Sequence, residues 1–234
     1  MGKVVISAVL PTNTKMFCGC KIEYDMDGYR LDNEINTCPV CRKEKGAFGI
    51  LNKKVVEEAI AVDLALKGKI NQYTLFDRVK NEDGLYNTIS QYSYPIGKDG
   101  YIEWDEMDSE NMAEAEQNEP AARITITAMR MKESEVEPGI PMIEIVSGDI
   151  AEEQNPYYIE EIEKILLALG IEEWEIIETD DVIETMESQT PISYLPDPDI
   201  PPVIISQWWV DQIAAKYPDL IHIEEPEVED EDDF

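Results

Sequence analysis

Positive charge is scarce in this sequence. It holds 19 Lys and Arg against 51 Asp and Glu, which gives a formal net charge of −32, and its one histidine is His222. Binding nucleic acid or an anionic membrane requires basic side chains to neutralise phosphates. The composition therefore argues against direct binding to nucleic acid or membranes. It favours either a highly soluble surface or attraction to a basic protein partner, including mimicry of nucleic acid in a basic groove.

Long apolar runs are also missing. No run reaches the roughly 18 residues that a membrane span requires, and residues 1–15 lack a basic region followed by an apolar stretch and a cleavage site. The Met-Gly start is not a myristoylation pattern, because Ile6 stands where Ser or Thr is needed. We therefore expect no export signal and predict a cytoplasmic protein. Hydrophobic residues make up 43% of the chain, which is enough to predict a folded core.

Hydrophobic periodicity and capping residues predict a mixture of strands and helices that do not alternate regularly, so the predicted class is α+β. The acidic residues 105–119 are predicted to be a solvated loop. Residues 1–223 are predicted to form one domain, followed by a disordered tail over 224–234 that has eight acidic residues. Strands are predicted at 4–10, 101–104, 123–131 and 142–146, helices at 52–66, from Asn155 to Gly170 and from Ser206 to Pro218, and an extended Pro-rich segment at 191–202.

The four cysteines form two close pairs. Cys18 and Cys20 are followed by seventeen residues and then by Cys38 and Cys41. Four thiolates from two turns are a common tetrahedral ligand set for Zn²⁺, and a site with four protein ligands is structural, not catalytic. The spacing predicts a zinc ribbon over about residues 15–48. Two disulfides, a redox C-x-x-C pair and four unrelated thiols are the alternatives. Disulfides do not suit a chain without an export signal, and a redox motif does not need the first pair.

Several short segments form a recognisable series along the chain. They include a Lys-Met-Phe-Cys turn near the start and a Pro-rich segment near the end. The segments are TKMFCGC (14–20), TCPVC (37–41), LNKK (51–54), FDR (76–78), ISQY with PI and GYI (89–102), PMIEIVS (141–147) and YLPDPDIPP (194–202).

In this order, the segments resemble the B subunit of the glutamyl/aspartyl-tRNA amidotransferases, the GatB/GatE family, over about residues 4–220. The resemblance implies an α+β cradle with a zinc-bearing insertion. It also implies a role in which ATP and magnesium activate the carboxylate of Glu or Asp mischarged on tRNA. Ammonia from a glutaminase partner subunit then displaces the phosphate. Magnesium held against phosphate oxygens needs carboxylates and, in this family, a histidine.

The segments that carry this chemistry in the family are altered here. The first strand of the family pattern has Glu and His where this chain has Val5 and Ser7. A later segment has Arg, His and Glu where this chain has Ala128, Arg130 and Lys132, and only Glu133 is kept. The chain is also expected to lack the helical domains that follow the cradle. These changes predict a pseudoenzyme, with no catalytic residue assigned; His222 is expected to be a surface residue.

Three functions remain open. The first is a non-catalytic acidic binding or inhibitory protein, of the kind that phages and mobile elements encode, acting on a basic surface that includes amidotransferase subunits. The second is a minimal amidotransferase subunit in which Glu133, Glu144 and Asp149 hold magnesium. The third is a structural component of an assembly, with the zinc ribbon and the Trp208–Trp209 edge as contact surfaces.

Overall fold

A computed structural model describes residues 2–27, 30–31, 37–42, 44, 46–80, 86–104, 122–179 and 195–221. The predicted acidic loop at 105–119, the predicted tail at 224–234 and His222 lie outside these residues. Within the described residues, no helix has the length and apolar character needed to cross a membrane. The strands are β1 (Lys3–Val9), β2 (Lys69–Ile70), β3 (Tyr73–Thr74), β4 (Asp77–Lys80), β5 (Tyr86–Ser90), β6 (Gly97–Lys98), β7 (Gly100–Trp104), β8 (Ala122–Glu133), β9 (Pro141–Ser147), β10 (Trp174–Thr179), β11 (Leu195–Pro196) and β12 (Val203–Ile204).

Most of these strands join one antiparallel sheet, in the order β10-β1-β9-β8-β5-β4-β11. Strands β6 and β7 add to β8, and β12 pairs with β3 in a separate two-stranded sheet. The mixed fold of a large sheet and few helices agrees with the predicted mixture of elements. The predicted strands at 4–10, 123–131 and 142–146 each lie within two residues of an observed strand.

The side chains of the first strand, β1, alternate between the two faces of the sheet. Val4, Ile6 and Ala8 are fully buried in the main hydrophobic core, where the helices pack. The alternate residues project to the opposite face because side chains along a strand alternate. The altered residues Val5 and Ser7 therefore share the face that the helices leave uncovered.

Helix α1 (Lys53–Ala65) matches the predicted helix at 52–66. Asn52 caps it, since its side-chain oxygen accepts a hydrogen bond from the backbone N–H of Lys54 at 2.9 Å. The chain turns out of the helix at Lys67, which has a φ of 54°. The N–H of Gly68 then donates to the carbonyl oxygen of Asp63 at 2.8 Å, which ends the helix where the glycine predicts.

Helix α2 (Asn155–Ala168) begins one residue earlier than predicted. Asn155 is its first helical residue and not its cap, because the 3₁₀ turn Glu152–Gln154 leads directly into it. Gly170, with a φ of 75°, follows its C-terminus as expected.

Helix α3 (Gln207–Ala214) has the predicted Ser206 cap, whose hydroxyl accepts from the N–H of Trp209 at 3.3 Å. The two adjacent tryptophans on this helix face different surroundings. Trp209 packs on the core and Trp208 is exposed.

Candidate functional site: a cysteine cluster and an ion-paired sheet face

Two backbone turns bring the four cysteines together. The first turn is closed by a hydrogen bond from the N–H of Lys15 to the carbonyl oxygen of Cys20 at 2.9 Å, and the second by one from Arg42 to Cys38 at 3.1 Å. The ligand atoms of Cys18, Cys20, Cys38 and Cys41 all lie within 4.8 Å of one another. Among the described residues, this is the only group of three or more His, Cys, Asp or Glu side chains placed to share an ion.

The spacing of the sulfurs fits a tetrahedral metal site. The Sγ atoms of Cys38 and Cys41 are 3.7 Å apart, and those of Cys18 and Cys41 are 3.2 Å apart. Metal–sulfur bonds of about 2.3 Å in a tetrahedron place sulfurs about 3.8 Å from one another. The four cysteines could therefore bind a metal ion.

The thiols do not ionise equally. Burial raises the pKa of the Cys18 thiol, and the nearby Cys41 thiol raises it further. Burial also opposes ionisation of Cys38, but hydrogen bonds from the Cys41 backbone and the Cys20 thiol lower the pKa of Cys38 to about 7. Four thiolates so close together would repel one another, so a bound cation is the physical condition for ionising the full set.

The positions that the motif resemblance predicts to be altered form one continuous patch on the sheet face that the helices leave uncovered. Strand β9 lies between β1 and β8, and its side chains meet theirs in rows. Ser7, Glu144 and Arg130 form one row, and Val5, Val146 and Ala128 form the next. These last three make a small hydrophobic cluster of their own, separate from the main core.

A bulge places Arg130 and Lys132 on this face. The β8–β9 register shifts between Ile126 and Ala128, which reverses the alternation along β8. Ile124 and Ile126 are buried in the core before the bulge, and Met129 and Met131 after it. The residues that alternate with Met129 and Met131 therefore project away from the core.

Glu144 is held by two cations on this face. Its Oε1 accepts a hydrogen bond from Nη1 of Arg130 at 2.9 Å, and its Oε2 accepts one from Nζ of Lys132 at 3.2 Å. The three side chains are 15–19% exposed, so solvent screens their charges only partly. Both carboxylate oxygens of Glu144 are consequently engaged in ion pairs. The two partners, Arg130 and Lys132, stand where the motif resemblance predicts His and Glu in the family.

The three carboxylates predicted for the alternative magnesium site do not meet. Glu133 is buried and lines a cavity of about 30 Å³ together with Lys15 and Cys18, next to the cysteine cluster. Glu144 projects to the ion-paired face described above, and Asp149 follows the end of β9. Among the described residues these three do not form a group that could share an ion.

A cleft of about 450 Å³ opens beside the patch. Ser7, Lys132 and Trp174 line it, together with the loop between β8 and β9. Arg30 reaches this cleft from the cysteine-bearing segment. Its Nε donates to Oε2 of Glu137 at 3.0 Å and its Nη1 to Oε2 of Glu173 at 2.6 Å. Those hydrogen bonds, from Glu173 first and Glu137 second, raise the pKa of Arg30, which stays charged.

The comparisons with known proteins agree with the motif resemblance. The family model described as "GatB/GatE catalytic domain" matches residues 4–180. This chain therefore belongs to the GatB/GatE family. The prediction of that family from the sequence segments is confirmed.

The similar proteins are aspartyl/glutamyl-tRNA(Asn/Gln) amidotransferase B subunits. The one from Carboxydothermus hydrogenoformans is 28% identical over 303 residues, covering 90% of this chain and 60% of that protein. The one from Desulfotalea psychrophila is 36% identical over 190 residues, covering 71% and 36%. A match of 99 residues to the Fusobacterium nucleatum subunit is 43% identical and covers 41% and 20%. In the first two of these alignments the chain spans about a third to three fifths of the relative's length.

Proposed function

We propose that this chain is a non-catalytic binding protein built on the amidotransferase B-subunit scaffold. The observation that carries the proposal is the pairing of Glu144 with both Arg130 and Lys132. Val5 and Ser7 on the neighbouring strand supply no charged ligand in place of the Glu and His of the family pattern. The side chains on this face therefore do not fit the magnesium ion that the family chemistry requires.

The charges on the face support this proposal. A divalent cation needs several oxygen ligands with net negative charge. At Glu144 it would have to displace two hydrogen-bonded cations, each then left partly buried without its partner. The two basic side chains thus provide the neutralisation that a metal ion would otherwise supply.

The cysteine cluster has a structural role in this proposal. We assign it Zn²⁺, held by Cys18, Cys20, Cys38 and Cys41, because four thiolates in a tetrahedral arrangement suit that ion. All four positions are filled by protein ligands, which leaves no open position for chemistry. The ion would stabilise the segment at 15–48 that carries Arg30 to the cleft.

A basic protein surface is the proposed partner. The net charge of −32 disfavours polyanions and favours encounters with basic proteins. The relatives are named as subunits, so subunits of an amidotransferase are the first partners to test. The proposed binding unit is residues 1–223, with the acidic segment 224–234 as an appendage.

A catalytic subunit is the second candidate function, and the match to a family model described as catalytic favours it. An assay of ATP-dependent amidation of mischarged Glu-tRNA distinguishes the two functions. It measures phosphate release with purified partner subunits present. We expect the wild-type chain to release phosphate no faster than the mixture without it. The full-length D. psychrophila relative serves as the positive control.

A matched variant makes that assay decisive. Glu144→Gln keeps the shape of the side chain and removes the charge that a metal would need. Phosphate release by the wild type that disappears in Glu144→Gln would show a working metal-dependent site and overturn the non-catalytic proposal.

A further inference from the structure

The cleft beside the ion-paired face has the features of a binding site. Ser7 and Val9 of β1 line it, as do Trp174 and Ile177 of β10. The loop after β8 contributes Glu135 to the lining. A slot of this size, part apolar and part polar, can take up one or two side chains of a partner.

Ser7 offers an unused hydrogen-bonding group to this cleft. The residue is 3% exposed and lines the cleft. Within the part of the chain that the structure describes, its hydroxyl forms no side-chain hydrogen bond. Ser134, which also lines the cleft, differs because its Oγ accepts from the N–H of Glu137 at 3.1 Å. A ligand group in the cleft would therefore find the Ser7 hydroxyl free to form a hydrogen bond in place of water.

The charged side chains that line the cleft indicate the charge of that ligand. Its lining has four carboxylates and two cations. Arg30 pairs with Glu137 and Glu173, and Lys132 pairs with Glu144. Among the described residues, Glu135 and Glu175 have no such partner, so the cleft has unpaired negative charge beside the Ser7 hydroxyl.

We propose that this cleft receives an arginine or lysine side chain from a basic protein partner. The aliphatic stem would lie along Val9, Trp174 and Ile177, and the charged end would bind Glu135, Glu175 and the hydroxyl of Ser7. The inference rests on the proposed function, because it locates the binding of a basic partner on the surface where the family's chemistry is altered. It thereby assigns a use to the face that the altered residues form.

The test measures binding of a fluorescein-labelled peptide of alternating arginine and glycine to the full chain by fluorescence anisotropy. Glu135→Gln/Glu175→Gln is expected to weaken binding about tenfold, the effect of losing about 1.4 kcal/mol. Ser7→Val keeps a residue suited to a strand, removes the hydroxyl, and is expected to weaken binding about threefold. Circular dichroism and thermal melting confirm that each variant is folded.

A charge-matched control separates the cleft from the general acidity of the chain. Glu152→Gln/Glu153→Gln removes the same two charges from an exposed 3₁₀ turn and should leave affinity nearly unchanged. Equal weakening in both double variants, or no binding by the wild type, would overturn the proposal. Displacement by free spermine at or below the concentration of unlabelled peptide would also overturn it, in favour of a small polyamine. None of these results changes the phosphate-release assay, so the two proposals fail independently.

Discussion

Nη1 of Arg130 donates a hydrogen bond to Oε1 of Glu144 at 2.9 Å, across the neighbouring strands β8 and β9. The motif resemblance predicts that the family has histidine at the position of Arg130, so we propose that a basic side chain here replaces a metal ligand. Lys132 engages the second oxygen of the same carboxylate. In the proposed function, these mostly buried ion pairs compensate the charge of Glu144, which would otherwise be available to a metal ion.

Removal of the shared carboxylate should be costly. Glu144→Ala leaves Arg130 and Lys132 close together, mostly buried and without a counter-charge, and we expect the free energy of unfolding to fall by about 1–3 kcal/mol. Urea denaturation followed by circular dichroism measures the change. Glu103→Ala is the control, because Glu103 also pairs with two cations, Lys67 and Arg123, but in an exposed setting. Its loss should be below about 1 kcal/mol; equal losses would show that burial of the Glu144 group adds nothing.

The cysteine cluster should hold one zinc ion per chain. Cys38→Ser should reduce the zinc measured by mass spectrometry after dialysis to near zero, because one hard hydroxyl replaces a thiolate and a tetrahedral site loses most of its affinity. Met26→Ser is the matched control, since Met26 is fully exposed in the same segment. A wild-type chain without zinc, or a Cys38→Ser chain that keeps it, would contradict the assignment.

Asp63 should make stability depend on pH. It lies on α1, fully buried, and neither carboxylate oxygen has a hydrogen-bond partner among the described residues. Burial raises the pKa of Asp63 well above its usual range. Above the ordinary Asp pKa of about 4 the unfolded chain loses this proton while the folded chain keeps it, so stability falls as pH rises from there towards the folded pKa.

Asp63→Asn removes that proton with little change of shape. Thermal melts should show a Tm a few degrees above wild type at pH 8, with a smaller difference at pH 4.5. Asp219→Asn is the control. Asp219 is exposed, so this substitution should leave the Tm unchanged at both pH 8 and pH 4.5. A difference between Asp63→Asn and wild type that stays constant with pH would show that Asp63 is ionised in the folded chain.

Local signals in the sequence predicted much of the fold. The apolar run at 4–10, the Ser206 cap and the glycines at 68 and 170 are each decided by neighbouring residues, and the observed elements follow them within two residues. The two pairs of cysteines are likewise a local signal, and the structure brings all four together.

The ion-paired face could not be predicted, because it depends on the pairing between strands, which the sequence alone does not reveal. Regular alternation through Ile124 and Ile126 would place Arg130 on the core side, and only the bulge before Ala128 reverses this. The pairing of Lys132 with Glu144 depends on the same register. Arg30 gave no signal at all, because its carboxylate partners are more than a hundred residues away in the sequence.

Manganese binding measured by electron paramagnetic resonance tests the central claim most directly, because Mn²⁺ substitutes for Mg²⁺ and Glu144 is the carboxylate that Arg130 and Lys132 engage on the altered face. With 51 acidic residues, weak binding elsewhere is expected, so the comparison is between the wild type and Glu144→Gln. If Arg130 and Lys132 have replaced the metal, the two titrations should coincide. A saturable wild-type site that disappears in Glu144→Gln would contradict the account.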